Sequence, residues 1–309
     1  MRSFNQILIA LGCSFSSCTF ALDAFADFLY WQASESAEWA LINNFNVSQQ
    51  NVTYQTIGFN LAPGFRIGLG HELNHKHARF TYSHFNVGAI DAIHANGGAI
   101  IPAFQAGKFN QKFSSSAQVS FAINYNILDA DYFTEIQLKQ RGLIKPLIGL
   151  KGGWINQNIH TYFQGGLDEN TLAPNQNYYT ETVKNNFSGI GPKIGIESQW
   201  KFDERSSLQS YFFANLSTAF LWGNWFLSDM LVQNNQLNVN QMLVGPRDFG
   251  AFMLDGSVGL KLIYKNNILK IAYDFADWFN QYQVFDNTTG ARNNDLILQG
   301  LTIGISRYF

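Results

Sequence analysis

The sequence predicts an all-β fold, an antiparallel transmembrane β-barrel of about ten strands with long extracellular loops and short periplasmic turns. Three observations predict it: an N-terminal secretion signal, apolar residues that alternate with polar ones, and connections that alternate between long and short. Charged residues make up only 14% of the chain while aromatic residues reach 16%. Soluble domains usually contain about 25% charged residues, so the composition suits a wall that faces lipid.

Residues 1–26 are predicted to form a signal peptide. An apolar run at residues 7–11 is followed by small residues that suit signal peptidase. Cleavage after Ala21 and cleavage after Ala26 both fit this pattern. The remaining chain, residues 27–309, is assigned to a single outer-membrane β-barrel domain.

The composition also excludes several kinds of site. Both cysteines, Cys13 and Cys18, lie within the predicted signal peptide. The mature chain would then have neither a disulfide nor a cysteine metal site. The formal net charge of -2 gives no basic surface of the kind that binds nucleic acid.

Past the signal peptide, apolar residues alternate with polar or small ones. In the segment 57–70 the odd positions, beginning with Ile57 and Phe59, are mostly large and apolar, whereas the even positions include Arg66 and several glycines. This alternation predicts strands with one apolar face and one polar face. In the segment 117–127 the apolar face carries Val119, Phe121, Ile123, Tyr125 and Ile127, and the polar face carries Gln118, Ser120, Asn124 and Asn126.

Charged residues on these strands lie opposite the large apolar side chains. In a soluble sandwich the apolar faces would form a core, whereas in a transmembrane barrel they face lipid and the polar faces line the lumen. The signal peptide and the glycines on the polar face favour the barrel. The predicted pore-lining residues are five basic and three acidic: Arg66, Lys151, Lys193, Glu197, Asp255, Lys261, Lys270 and Asp274.

Aromatic residues near the strand ends also favour a barrel. Outer-membrane barrels carry aromatic girdles at both membrane interfaces. Packing in a protein core is the alternative for some of these side chains. The residues concerned are Tyr30, Trp31, Trp154, Trp200, Trp222, Trp225, Trp278, Tyr308 and Phe309.

The connections set the strand count. Long and short connections in alternation give ten strands with both termini in the periplasm. The segment 113–139 is interpreted as one long strand with a bulge near Asp129; if residues 128–131 form a turn instead, the count rises to twelve. The long connections are 34–55, 92–112, 158–186, 223–249 and 281–294, and the short ones are 73–77, 140–143, 203–206 and 265–267.

Residues 71–75 match the zinc-protease pattern H-E-x-x-H, and His77 adds a third histidine. The pattern functions only on a helix, which places both histidines on one face. Two preceding glycines and Asn74 instead predict a strand end and a short periplasmic turn. A loose metal contact by His75 and His77 is the alternative, although no carboxylate spacing supports it. We therefore predict no catalytic residue, metal ligand or cofactor, and the chain is expected not to be an enzyme.

The C-terminal segment "LTIGISRYF" places Leu301, Ile303, Ile305 and Phe309 on one face. This strand is expected to pair with the first strand of the barrel and remove both sheet edges. Tyr308 and Phe309 are assigned as the signal that the outer-membrane assembly machinery recognises.

The segments "ADFLYWQASESAEWAL", "PGFRIGLG", "GLIKPLIGLKGGWINQ", "GPKIGIESQW" and "NDLILQGLTIGISRYF" resemble blocks of the Legionella-type major outer membrane protein family. The resemblance runs from about residue 26 to 309. It implies a pore-forming outer-membrane β-barrel that is also a surface antigen. The best-known members have cysteines that cross-link subunits, and the mature form of this chain would have none.

The expected function is passive diffusion of small hydrophilic solutes through a water-filled lumen in the bacterial outer membrane. A surface adhesin or structural barrel with a closed lumen is the alternative, because a barrel of about ten strands encloses little space. The expected partners are outer-membrane lipid, the assembly machinery, and small solutes or ions. A second copy of the chain and a host surface are further candidates.

Overall fold

The computed structural model describes residues 21–35, 37–44, 51–73, 76–95, 98–104, 113–138, 142–167, 177–202, 208–233, 239–279, 281 and 295–309. Among these residues, no helix is long and apolar enough to cross a bilayer. The strands are β1 (Ala21–Ser34), β2 (Glu38–Asn44), β3 (Asn51–Thr56), β4 (Ala62–Leu73), β5 (Lys76–His94), β6 (Gly98–Pro102), β7 (Phe113–Thr134), β8 (Ile136–Leu138), β9 (Gly142–Leu167), β10 (Tyr178–Lys201), β11 (Leu208–Gln233), β12 (Val239–Tyr264), β13 (Asn267–Phe279) and β14 (Leu296–Tyr308).

Ten of these strands close into one antiparallel barrel, in the order β1, β4, β5, β7, β9, β10, β11, β12, β13, β14 and back to β1. The first and last strands pair as predicted, with Asp23 opposite Tyr308. The Phe309 amide also donates a hydrogen bond to the Leu22 carbonyl at 2.9 Å. The predicted ten-strand barrel is therefore confirmed, and the twelve-strand alternative is wrong.

The two ends of the barrel differ in the length of their links. At the end that carries both termini, only Lys265 and Asn266 connect β12 to β13, and Lys265 takes the positive φ of 54° that this tight turn requires. Outer-membrane barrels keep their short turns on the periplasmic side. This end therefore faces the periplasm, and the other end faces the outside of the cell.

The strands reach further into the predicted extracellular loops than the sequence analysis expected. β9 continues to Leu167, while β11 and β12 cover most of residues 223–249. Within the other predicted loops, β2 pairs with β3 and β6, and β6 contacts β7 at Ile100 and Ser114. The sequence analysis missed β2 and β3 because the Asn- and Gln-rich segment 41–55 resembles a solvated loop.

The wall has two levels, which β10 illustrates. Crossing a bilayer takes about 9–11 strand residues, whereas β10 has 24. Toward the periplasm its outward side chains are exposed and apolar, including Ile190, Ile194 and Ile196. Toward the outside of the cell its outward positions are polar, including Thr180 and Lys184. The barrel therefore extends beyond the membrane on the extracellular side.

On the inward face, apolar side chains lie at the extracellular level and charged side chains at the membrane level. This distribution corrects the interpretation of β7. Its apolar residues from Val119 to Ile127 are buried and face the lumen, while Gln118 and Ser120 face outward. Pairing with β5 and β9 runs through Asp129 without a register shift, so the predicted bulge is wrong. The inward face changes from apolar to charged at this point because the strand passes from water into the membrane.

The aromatic residues divide in the same way. Trp154, Trp200 and Trp222 are exposed on the outer wall, as expected of girdle residues. Trp31, Trp225 and Trp278 are buried inside the barrel, so the alternative of core packing holds for these three and they are not girdle residues. Ile57 and Phe59 lie before β4 and are also buried, so they do not face lipid.

Substitution by arginine on the outward face of β10 should reduce the stability of the barrel by different amounts at the two levels. Ile196→Arg places a charge on the lipid face and should lower the free energy of unfolding by about 2–4 kcal/mol. Thr180→Arg, on the outward face above the membrane, should change it by less than about 0.5 kcal/mol. Urea unfolding of the protein refolded in lipid vesicles measures both values. Equal costs would show that the lipid boundary on β10 is misplaced.

Candidate functional site

The predicted pore-lining residues come together in the membrane level of the lumen. All eight line a cavity of about 150 Å³, which we call the charged chamber. The structure adds four charged residues that the sequence analysis missed, namely Asp27, Arg79, Asp129 and Asp131. Whether any of these residues lines an open pore stays a prediction.

The first group of ion pairs joins β1, β4 and β13. Arg66 Nη1 lies 3.0 Å from Asp274 Oδ2 and 3.3 Å from Asp27 Oδ2. Lys270 Nζ also contacts Asp27. The Thr302 hydroxyl donates a further hydrogen bond to Asp274 at 2.8 Å. Each of these carboxylates is nearly inaccessible to solvent and is matched by cations, as burial of a charge requires.

The second group joins β7, β9, β10 and β12. Lys151 Nζ lies 3.1 Å from Asp129 and 2.8 Å from Asp255. Lys193 Nζ lies 2.9 Å from Asp129 and 3.0 Å from Asp131. Since each lysine contacts two carboxylates, the pairs form a continuous network across the lumen.

The third group extends the network toward the periplasm. Arg79 Nη1 lies 2.9 Å from Glu197 Oε1, and Arg79 Nη2 lies 3.4 Å from Asp131. The Lys261 ammonium lies 4.6 Å from the centre of the Phe213 ring, a cation–π contact.

The four missed residues change the charge balance of the chamber. Arg79 raises the number of basic residues that line it from five to six, and the three aspartates raise the acidic residues from three to six. Among the described lining residues the two signs therefore balance. The excess of basic residues read from the sequence does not hold for the folded chamber.

Above the charged chamber, apolar side chains fill the lumen. In ring order, β7 and β13 are separated by four strands on either side, yet the Tyr125 and Trp278 rings lie 6.1 Å apart. Phe187 packs against Trp225 and Trp278 at 4.7 and 5.7 Å. We call Phe121, Tyr125, Phe187, Trp225 and Trp278 the apolar plug, and all five are almost fully buried.

Gly153 shows how closely the plug is packed. It lies on β9, and a Cβ atom there would come within 3.0 Å of both Ile127 and Trp278. Real Cβ contacts are rarely so short. The tryptophan thus reaches across the lumen to the opposite backbone, and glycine leaves it the necessary space.

Segments from the extracellular end complete the plug. Phe59 packs edge-on against Phe121 at 5.0 Å, and Trp39, Ile100 and Phe104 join the same buried cluster. A polar contact lies within it: Gln157 donates hydrogen bonds to Glu35 at 2.8 Å and Gln281 at 3.0 Å. Glu35 and Gln281 follow β1 and β13, so these bonds attach two extracellular links to the wall.

The family can now be identified. Residues 16–309 match the profile described as the Legionella pneumophila major outer membrane protein precursor. The chain belongs to this family. It is therefore an outer-membrane protein, as predicted. None of the curated protein sequences matches it.

Three solved structures of outer-membrane proteins are similar to this member of the Legionella major outer membrane protein family at low identity. The protease OmpT from Escherichia coli is 10% identical, with 95% of this chain and 99% of that chain covered and a TM-score of 0.43. The toluene transporter TbuX from Ralstonia pickettii is 8% identical, with 95% and 90% covered and a TM-score of 0.21. The toluene transporter TodX from Pseudomonas putida is 8% identical, with 96% and 90% covered and a TM-score of 0.17.

The match to OmpT contradicts one expectation of the sequence analysis, that the chain is not an enzyme. OmpT is a protease in the outer membrane, so an outer-membrane location does not by itself exclude catalysis. At 10% identity the match assigns no catalytic residue to this chain.

Asp129 holds two lysines in the chamber, and this predicts a large effect of its removal. Asp129→Asn leaves Lys151 and Lys193 with one carboxylate each and should destabilise the barrel by about 3 kcal/mol, the lower end of the range for a broken buried pair. Asp91→Asn, at an inward position near the extracellular end of β5, should cost less than about 0.5 kcal/mol. Urea unfolding of both refolded proteins provides the comparison, and a cost below about 1 kcal/mol for Asp129→Asn would mean that the network adds little to stability.

Proposed function

We propose that this protein is a closed-lumen outer-membrane barrel that acts at the cell surface and does not conduct solutes as an open channel. The contact between Tyr125 and Trp278 across the full width of the barrel carries this proposal. A passing solute would have to separate these rings and enter a region lined by fully buried apolar side chains.

Two barriers to solutes act in series. The apolar plug would strip water from an ion without offering polar groups in return, which costs several kcal/mol or more. Below the plug, the chamber charges are engaged with one another, with Lys193 held between Asp129 and Asp131. An ion that entered would have to compete with these pairs.

A surface role agrees with the extracellular level of the barrel. There the wall rises above the membrane with a polar exterior, and β2, β3 and β6 form a small sheet that is joined to the wall through β7. Resemblance to the family implies a surface antigen. We infer that these extracellular segments contact a host surface or another cell-surface component, with the closed barrel as their support.

A diffusion channel that opens when the plug is displaced is the second candidate. Two observations favour it: all eight predicted pore-lining residues do line the chamber, and the family resemblance implies a pore. The solutes would then be small hydrophilic molecules or ions.

Single-channel recording in planar bilayers separates the two functions. The wild-type barrel should give no steady conductance steps, whereas a variant with Tyr125→Ala and Trp278→Ala should conduct, because it lacks the contact across the lumen. Trp222→Ala, on the outer wall, is the matched control and should stay closed. Heat-modifiable migration on gels verifies that each variant is folded. Steady conductance of the wild-type protein would refute the closed lumen and support the diffusion channel.

The structure also favours one of the two cleavage sites. Residues 22–26 pair with β4 and β14, and the Leu22 carbonyl accepts the hydrogen bond from Phe309. Cleavage after Ala26 would remove these contacts at the point where the barrel closes, so we propose cleavage after Ala21.

Mass spectrometry of the protein purified from outer membranes tests this choice. The mature chain is expected to begin at Leu22. A mature chain that begins at Asp27 would contradict the proposal and would mean that the barrel closes with a shorter first strand. The role of Tyr308 and Phe309 in assembly stays a prediction.

A further inference from the structure

Three potential metal-binding side chains meet at the periplasmic end of the barrel. Glu72 lies on β4, His77 lies on β5, and Glu135 lies in the link between β7 and β8. One donor atom from each residue lies within 4.8 Å of the other two. This rim cluster lies at the periplasmic end, below the lysines and carboxylates of the charged chamber.

The fold assembles the rim cluster from positions far apart in the chain. Glu72 and His77 are directly opposite in the β4–β5 pair. β7 ends at Thr134, and Glu135 therefore departs from the strand ladder. Its carboxylate oxygen Oε1 lies 2.9 Å from His77 Nε2, while Glu72 Oε2 lies 3.8 Å from His77 Nδ1.

We propose that Glu72, His77 and Glu135 bind a divalent transition-metal ion, with Zn²⁺ as the representative ion. One imidazole nitrogen and two carboxylate oxygens are ligands that zinc accepts. The 2.9 Å between His77 and Glu135 donors suits two ligands that each lie about 2.0–2.2 Å from one ion. Glu72 lies beside the other ring nitrogen, Nδ1, so its exposed side chain must turn toward Nε2 to become the third ligand.

The state of His77 Nε2 supports this assignment. This nitrogen is buried and lies 2.9 Å from the Glu135 carboxylate. A metal ion bound by both atoms would replace this direct contact.

Lys145 limits the affinity of the proposed site for a metal ion. Its Nζ lies 2.6 Å from Glu135 Oε1. This carboxylate oxygen therefore already has a cationic partner. Because the ammonium competes with a metal ion for the same carboxylate, we expect moderate affinity.

The proposed ligands differ from those of the zinc-protease pattern. That pattern would use His71 and His75 on a helix, but residues 71–73 and 76–77 are strand, and residues 74–75 lie outside the described part of the chain. The rim cluster keeps only Glu72 of the pattern and adds His77 and Glu135. The carboxylates that the sequence spacing did not show are supplied by strand pairing and by a distant link.

Zinc binding to the complete mature barrel in detergent tests the proposal. After treatment with a chelator, the protein is titrated with zinc chloride alone by calorimetry. We expect one ion per chain, and His77→Asn or Glu135→Gln should each weaken binding by about tenfold or more. His84→Asn, which changes an outward histidine on the same strand as His77, is the matched control and should bind like wild type.

Gel migration before and after heating verifies that every variant is folded, and Glu135→Gln provides a second test if His77→Asn fails to assemble. Failure of the wild-type protein to bind one ion would overturn the proposal. So would unchanged binding by a folded His77→Asn or Glu135→Gln variant, or an equal loss with His84→Asn. Loss of zinc with His71→Asn or His75→Asn alone would assign the ion to the other histidines and would equally overturn it.

Discussion

A charge cannot face hydrocarbon without a large cost, and this constraint organises the whole barrel. At the level of the lipid, the outward positions of β10, β13 and β14 are occupied by exposed isoleucine, leucine and aromatic side chains. The charges on these strands must then point inward, into a narrow lumen with little room for water. Asp27, Lys193 and Glu197 are accommodated there as ion pairs, because burial of an isolated charge costs far more free energy than burial of a pair.

Above the membrane the positions of polar and apolar side chains are reversed. Water surrounds the wall, so polar residues such as Gln118 and Lys184 face outward and apolar residues fill the interior. This part of the barrel resembles a small water-soluble β-barrel placed on top of a membrane-embedded one. The apolar plug is thus a consequence of strands that are longer than the bilayer, because the inward side chains above the membrane form an apolar core.

The ends of the barrel carry most of what distinguishes this chain from a simple tube. At the extracellular end, Glu35 and Gln281 bind to Gln157 inside the barrel, so that the links are attached to the wall. At the periplasmic end, the barrel closes through Leu22 and Phe309, and the rim cluster brings together two strands and a link.

The sequence by itself determined the barrel class, the ten strands, the pairing of the first and last strands, and the inward direction of eight charges. It could do so because a period of two and the exclusion of charge from the lipid face are local properties, visible in segments such as 57–70. It did not reveal Asp129 and Asp131 as chamber residues, because the change from an apolar to a charged inward face on β7 looked like a bulge. Which charge pairs with which, the contact of Tyr125 with Trp278, and the meeting of His77 with Glu135 were decided by tertiary structure alone. Those contacts join strands far apart in the chain, and their partners are set by the register and closure of the barrel, which no local pattern encodes.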